Sequence, residues 1–257
     1  MQRPVFHLAC LALVSGALLS STPVEAATLP YTLDFEVSPN VGANGGNWTF
    51  DGGLGGALHG VDIEVDQLRV IRAPLQTGSS YDLLNGRLNF TSGGLASSST
   101  TLFGMKTDLS FAAGGTIVVT GVIDVDGSGD VSAGDIVGDA NNPLMTGAFL
   151  GIDVSVTAFG ASAVGFFSDM KHDELETLVG VPHVEQWQGL FNLSFQPVIG
   201  GSLVDDGFVQ GETLSGDIVN TVPEPVTALL LATGSLGLGV LSRRRRLQGA
   251  VAENTGA

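Results

Sequence analysis

The chain has 257 residues, with 26 acidic side chains against 10 lysines and arginines and a formal net charge of −16. That balance argues against nucleic acid as a partner, because phosphates would be repelled rather than neutralised. A single cysteine, Cys10, excludes a framework of intramolecular disulfides.

Residues 1–26 read as a secretory signal peptide. Arg3 supplies the positive start, Leu8 to Leu19 the apolar run, and Pro23 its break. Val24-Glu25-Ala26 places small residues at the two positions a signal peptidase reads, so cleavage is expected before Ala27. No twin arginine is present, which points to the ordinary secretory route. His7 stands where a lipoprotein box ahead of Cys10 needs an aliphatic residue. With the peptide removed, the exported chain carries no thiol.

Residues 27–221 form the body, a length suited to one large domain or a compact pair. Its only basic residues are Arg69, Arg72, Arg87, Lys106 and Lys171, so acidity is concentrated here. Two-residue alternation dominates, the period of a half-buried strand. Leu33, Phe35 and Val37 alternate with polar neighbours, as do Leu88 and Phe90, Ile152 to Val156, and Phe191 to Phe195. Clusters such as "SPNVGANGGN" and "SGGLASSST" read as the turns between strands. The expected fold is mainly β: an antiparallel β-sandwich or jelly roll with one short helix. That helix is expected over "MKHDELETL", capped by Ser168 or Asp169 and ended by Gly180 and Pro182. His59, among glycines, reads as a loop residue. Trp48 and Trp187 are candidates for stacking on sugars or for the core of a sheet.

The stretch "DVDGSGDVSAGD", Asp124 to Asp135, has the register of a twelve-residue calcium loop. Asp124, Asp126 and Ser128 fall at positions one, three and five, and Gly129 at six, where the chain must turn sharply. Asp130 offers its backbone carbonyl at seven, Val131 at eight is expected to point inward, Ser132 stands at nine, and Asp135 closes the loop. Calcium needs hard oxygen ligands converging from several directions, and this spacing supplies them. The loop resembles EF-hand loops and, more closely, the dockerin type, in which aspartate also occupies the last position. Ser128 in place of a carboxylate, the short Asp135 and a strand-like "GGTIVVTGVI" upstream depart from that pattern. The resemblance therefore implies a weak structural site suited to extracellular calcium, with a dissociation constant of roughly 10⁻⁴ to 10⁻³ M. An acidic turn between two strands, needing no metal, fits the same residues.

Other constellations carry less. His172, Asp173 and Glu174 lie near His183 and Glu185, but their spacing matches no closed zinc motif. No nucleophile elbow, phosphate-binding glycine loop or dinucleotide fingerprint occurs in a supporting context, and no enzymatic activity is expected.

The C-terminal region is more specific. Val226 to Ser242 is about 17 residues without a charge, the lower limit for a helix that crosses a bilayer. Pro223 and Pro225 stop any helix from extending upstream, and Arg243, Arg244, Arg245 and Arg246 stop transfer and stay in the cytoplasm. Val222-Pro223-Glu224-Pro225, a glycine-bearing apolar span and an arginine cluster together resemble the PEP-CTERM sorting signal, here residues 222–246. The resemblance implies recognition of Pro223, Glu224 and Pro225 by the membrane protease-transpeptidase exosortase, which removes the span. Residues 247–257 form a short cytoplasmic tail beyond the point where such signals usually stop.

These readings converge on a non-enzymatic protein exported across the inner membrane. It is held there transiently with its body outside, then placed at the cell surface or in the extracellular matrix in association with exopolysaccharide. The alternative is a secreted, calcium-stabilised carbohydrate-binding module or glycan-active enzyme. Signal peptidase and exosortase are the expected processing partners.

Overall fold

The computed structural model describes residues 30–37, 46–101, 106–183, 186–198, 202–208 and 210–222. All of them fall within one compact unit, Pro30–Pro223. The expected signal peptide, the sorting signal beyond Val222 and the 247–257 tail lie outside the described residues, as do residues 38–45 of the first turn cluster. No helix among the described residues is long and apolar enough to cross a membrane.

The chain is mainly β. The strands are β1 Thr32–Val37, β2 Asn47–Phe50, β3 Ala57–Glu64, β4 Gln67–Arg72, β5 Ser80–Thr101 and β6 Lys106–Phe111. They continue with β7 Gly115–Ile123, β8 Ile136–Gly138, β9 Met145–Thr157, β10 Gly160–Lys171, β11 Trp187–Val198 and β12 Gln210–Thr221. One helix, α1 Asp173–Val179, separates β10 from β11. All pairings between the named strands are antiparallel, and they run in the order β2-β3-β5-β4-β1-β12-β11-β10-β9-β7-β8. β7 also pairs with the long β5, from Leu83↔Ile123 to Ser92↔Gly115, so the hydrogen-bonded path from β5 through β4, β1, β12, β11, β10, β9 and β7 returns to β5. Such closure removes exposed edges along most of the sheet.

Alternation drives this arrangement. Leu33, Phe35 and Val37 of β1, Ile152, Val154 and Val156 of β9, and Phe191, Leu193 and Phe195 of β11 all point into one core. Each fully buried Phe or Leu contributes about 1.5–3 kcal/mol. At the centre lies a run of rings. Trp48 stacks on Phe195 at 4.0 Å and meets Phe90 edge-on at 4.9 Å. Phe90, Phe191, Phe149 and Phe167 continue it with centroids 5.0, 5.6 and 5.9 Å apart in turn. Two glycines make room for these rings. Phe167 folds over its cross-strand partner Gly189, where a Cβ would lie 2.0 Å from the ring, and Phe90 covers Gly60 in the same way.

Three local expectations are corrected. Ser92–Thr100 is strand, not turn: it lies within β5 and pairs with β3, β6 and β7. A Cβ at Gly93 would fall 2.3 Å from the Ala112 carbonyl, so its glycine serves close backbone approach rather than chain reversal. His59 sits in β3, not in a loop. The helix begins later than its sequence signals imply, because pairing of Asp169 with Gly147 and of Lys171 with Met145 holds that segment in β10. His172 becomes the N-cap, its Nδ1 accepting from the Glu174 N–H, and Gly180 ends the helix in the left-handed region.

Candidate functional site

The acidic loop is the connection of a β-hairpin. Ile123, the last residue of β7, pairs with Ile136, the first of β8, so residues 124 and 135 are held side by side at its base. The fold thus brings together the two ends of a twelve-residue loop. The carboxylates of Asp124, Asp126 and Asp135 converge, with a ligand atom of each within 4.8 Å of the others.

Backbone amides organise these groups. Asp124 is buried; its Oδ1 accepts from the N–H groups of Gly127 at 2.8 Å and Ser128 at 3.1 Å, and its Oδ2 from Gly129 at 2.8 Å. Gly127 and Gly129 have φ of 70° and 78°, a region that other residues enter at a cost, and this curvature turns the three N–H groups inward. Asp126 Oδ1 accepts from the Ser128 N–H at 2.9 Å, and its Oδ2 from the Ser132 hydroxyl at 2.9 Å. Asp135 accepts from Val125 N–H at 2.9 Å and Ser132 N–H at 2.7 Å. Hydrogen bonds from Ser128 and then Ser132 hold the Asp126 carboxyl below its usual range, and the Ser132 and Val125 amides do the same for Asp135. Both are therefore ionised at neutral pH, close together.

The remaining loop positions differ. The Ser132 hydroxyl reaches the cluster through Asp126, whereas the Ser128 hydroxyl is turned to the Asp130 carbonyl at 2.8 Å. The Asp130 side chain is exposed, and its carboxylate is not among the three that converge. Val131 does not point inward: it is 60% exposed, within the exposed stretch of the connection between β7 and β8. A shallow hollow beside the loop is lined by Asp135 and Ile136 on one side and by Glu174, Thr177 and Leu178 of α1 on the other.

A second cluster forms around α1. The imagined set of His172, Asp173, Glu174, His183 and Glu185 is not assembled among the described residues. His172 serves as helix cap, and Glu185 lies outside the described residues. Instead Asp173, His183 and the buried Glu176 meet: His183 Nδ1 lies 3.3 Å from Asp173 and 2.9 Å from Glu176 Oε2. The other oxygen of Glu176 accepts from the Trp187 indole N–H at 2.8 Å. Spacing alone did not single out Glu176. Its signal is phase: four residues before Gly180, it lies on the face of α1 that Leu175 and Val179 bury.

Neither tryptophan offers a face to a ligand. Trp48 and Trp187 are fully buried, and the Trp48 indole N–H is spent on Thr213 Oγ1 at 2.7 Å. Comparison of the chain with protein-family models, with curated proteins and with solved structures finds no match in any of the three.

Proposed function

We propose that the chain is an exported protein of the cell surface or extracellular matrix, structural or adhesive in role, associated with exopolysaccharide and processed at its C-terminal sorting signal. The observation that carries this reading is the order of parts along the chain. A segment with the residue pattern of a secretory leader precedes an acidic β-rich body, followed by Pro223-Glu224-Pro225, an uncharged span and Arg243 to Arg246. The body is proposed to be a sandwich whose closed pairing suits a domain that must persist without disulfides. The acidic loop is proposed as a weak calcium site held by Asp124, Asp126 and Asp135, with Ser128, Ser132 and the Asp130 carbonyl as further oxygen donors. Calcium there would neutralise the clustered carboxylates and fix the β7–β8 connection.

Replacing Pro223 and Pro225 together by alanine tests the sorting step. The unaltered chain should be shortened and recovered at the surface or in the medium, and the variant should remain full length in the inner membrane. Equal size and equal location of the two proteins would refute processing at this signal. The alternative of a carbohydrate-binding module gains no support from the buried tryptophans; a glycan array separates it from the structural reading.

A further inference from the structure

The inward phase of β10 runs Ala161, Ala163, Phe167 and then, without a change of register, Asp169 and Lys171. Both charged side chains are fully enclosed. Lys171 Nζ donates to Asp169 Oδ2 and to Asn220 Oδ1 of β12, the latter at 2.9 Å. The rings of Phe35 and Trp187 lie beside it, with centroids 5.9 and 5.3 Å from Nζ, and the buried Glu176 carboxylate acts electrostatically on both Lys171 and Asp169. The Asn220 amide is itself fully buried, and its Nδ2 donates to the Ile218 carbonyl at 2.9 Å, which turns the carbonyl toward the lysine. Asp169 Oδ1, also buried, has no hydrogen-bond partner among the described residues.

As an ion pair this arrangement is poor. A buried carboxylate with one unpartnered oxygen carries a large desolvation penalty, and the pair lies between apolar rings. Burial lowers the Lys171 pKa and raises that of Asp169, in each case as the leading cause and against the attraction between the two. Both shifts favour transfer of the ammonium proton to the carboxylate. The product is a neutral amine, a carboxylic acid and a carboxamide in van der Waals contact, shielded from water.

We propose that Lys171 and Asn220 become joined by an intramolecular amide bond, formed by the folded protein on itself, with Asp169 as the acid–base group. The Nζ lone pair attacks Cγ of Asn220, and the carbonyl electrons move to Oδ1, which the Asp169 acid stabilises by its proton. In the tetrahedral intermediate the Asp169 carboxylate takes a proton from Nζ and passes it to Nδ2. The Cγ–Nδ2 bond breaks, ammonia leaves, and Asp169 regains its acid proton as Oδ1 becomes a carbonyl again. Amine and carboxamide give a secondary amide and ammonia, with no oxidant and no co-reactant. Enclosure supplies what the reaction needs: a site that favours the uncharged amine over the ammonium, and reacting groups fixed in contact. Lys171 and Asn220 lie 49 residues apart along the chain, so the bond ties β10 to β12 across β11.

The test is peptide mapping of the full chain, after circular dichroism has shown it folded, with a protease that cleaves before aspartate. The expected product is one branched peptide joining Asp169–His172 to the segment that begins at Asp217, lighter than the two together by one ammonia. Recovery of the two segments as separate linear peptides overturns the proposal. Loss of one water within the Asp169–His172 peptide overturns it too, since the amide would then lie on Asp169. Ammonia loss without the branch, as from the Asn85-Gly86 pair, likewise overturns it. Asn220→Asp should retain the branch with water lost in place of ammonia. Asp169→Asn, with Lys171 and Asn220 intact and the β spectrum preserved, should give linear peptides; full branching in that variant would overturn the role of Asp169.

Discussion

Adding calcium to the chelated protein should raise its melting temperature. With a dissociation constant of about 10⁻⁴ to 10⁻³ M, about 10 mM calcium stabilises the folded state by about 1.4–2.7 kcal/mol. For a body of this size each kcal/mol moves the midpoint by about 2–4 °C, so a rise of about 3–11 °C is expected. The informative variant is Asp126→Asn. Asp126 is exposed and keeps an oxygen to accept from the Ser128 N–H after the change, so the chelated midpoint should move little. The calcium response should nonetheless fall, because one of three converging charges is gone. Asp124→Ala is a harsher change, since it also strands the inward N–H groups of Gly127, Ser128 and Gly129. The response should also depend on pH in one direction. Asp126 and Asp135 have folded-state pKa values below 3.8, so both ligands are charged above that value and the response is lost as pH falls through their lowered pKa values. Scanning calorimetry in chelator, calcium and magnesium measures all of this. An unchanged midpoint in calcium, or an undiminished rise in Asp126→Asn, would refute the metal reading and leave an acidic turn closed by its own amides.

Two further substitutions probe the sheet. Burial, with repulsion from Asp217 and against attraction to Arg69, pushes the Asp34 carboxyl up to about 6 from 3.8, and its buried Oδ1 has no hydrogen-bond partner among the described residues. A raised carboxylate destabilises the fold above its folded pKa, and that penalty fades as pH falls toward the unfolded value. Asp34→Asn should therefore stabilise by about 1 kcal/mol at neutral pH, after discounting for the half-exposed side chain, and by nothing near pH 3.5. Urea midpoints at the two pH values decide it, and equal gains at both would contradict the charge argument. Gly189→Ala should destabilise by about 1–3 kcal/mol, since the new Cβ enters the space of the Phe167 ring. A denaturation midpoint unchanged from the parent would show that the ring yields.

What the amino acids reveal here follows from how local each signal is. β1 and β11 alternate strictly, and β9 does so from Ile152 to Val156, because one face of each meets the core, so their pattern is legible without knowledge of their partners. The loop is equally local: its carboxylates and left-handed glycines lie within twelve residues, and hairpin pairing of Ile123 with Ile136 only closes it. Ser92–Thr100 is illegible for the opposite reason. Its strand character comes from β3, β6 and β7, which lie elsewhere in the chain, and serine with glycine carries turn chemistry of its own. Asp169 and Lys171 were hidden by a convention. Charged residues read as surface, which puts the segment at the polar start of a helix, although the alternation from Ala161 continues through both.

The buried triad and the missing thiols bear on one another. A chain whose one cysteine is Cys10 has no intramolecular disulfide, and calcium at the proposed weak site would stabilise only while calcium is present. An amide between Lys171 and Asn220, 49 residues apart, is indifferent to reductant and chelator alike. On the chain-entropy account of a covalent link, closing a loop of that length restricts the unfolded state by about 4 kcal/mol. The double variant Asp169→Leu with Lys171→Met isolates that quantity. Replacing a buried ion pair by apolar groups of similar volume is neutral or stabilising in itself, and Asn220 loses one hydrogen bond worth about 1 kcal/mol. A drop well beyond that, persisting in chelator and in reductant, is the expected result of losing the link. A double variant as stable as the parent, or more so, would mean that Asp169 and Lys171 are an ordinary buried pair and that the body is held by its core alone.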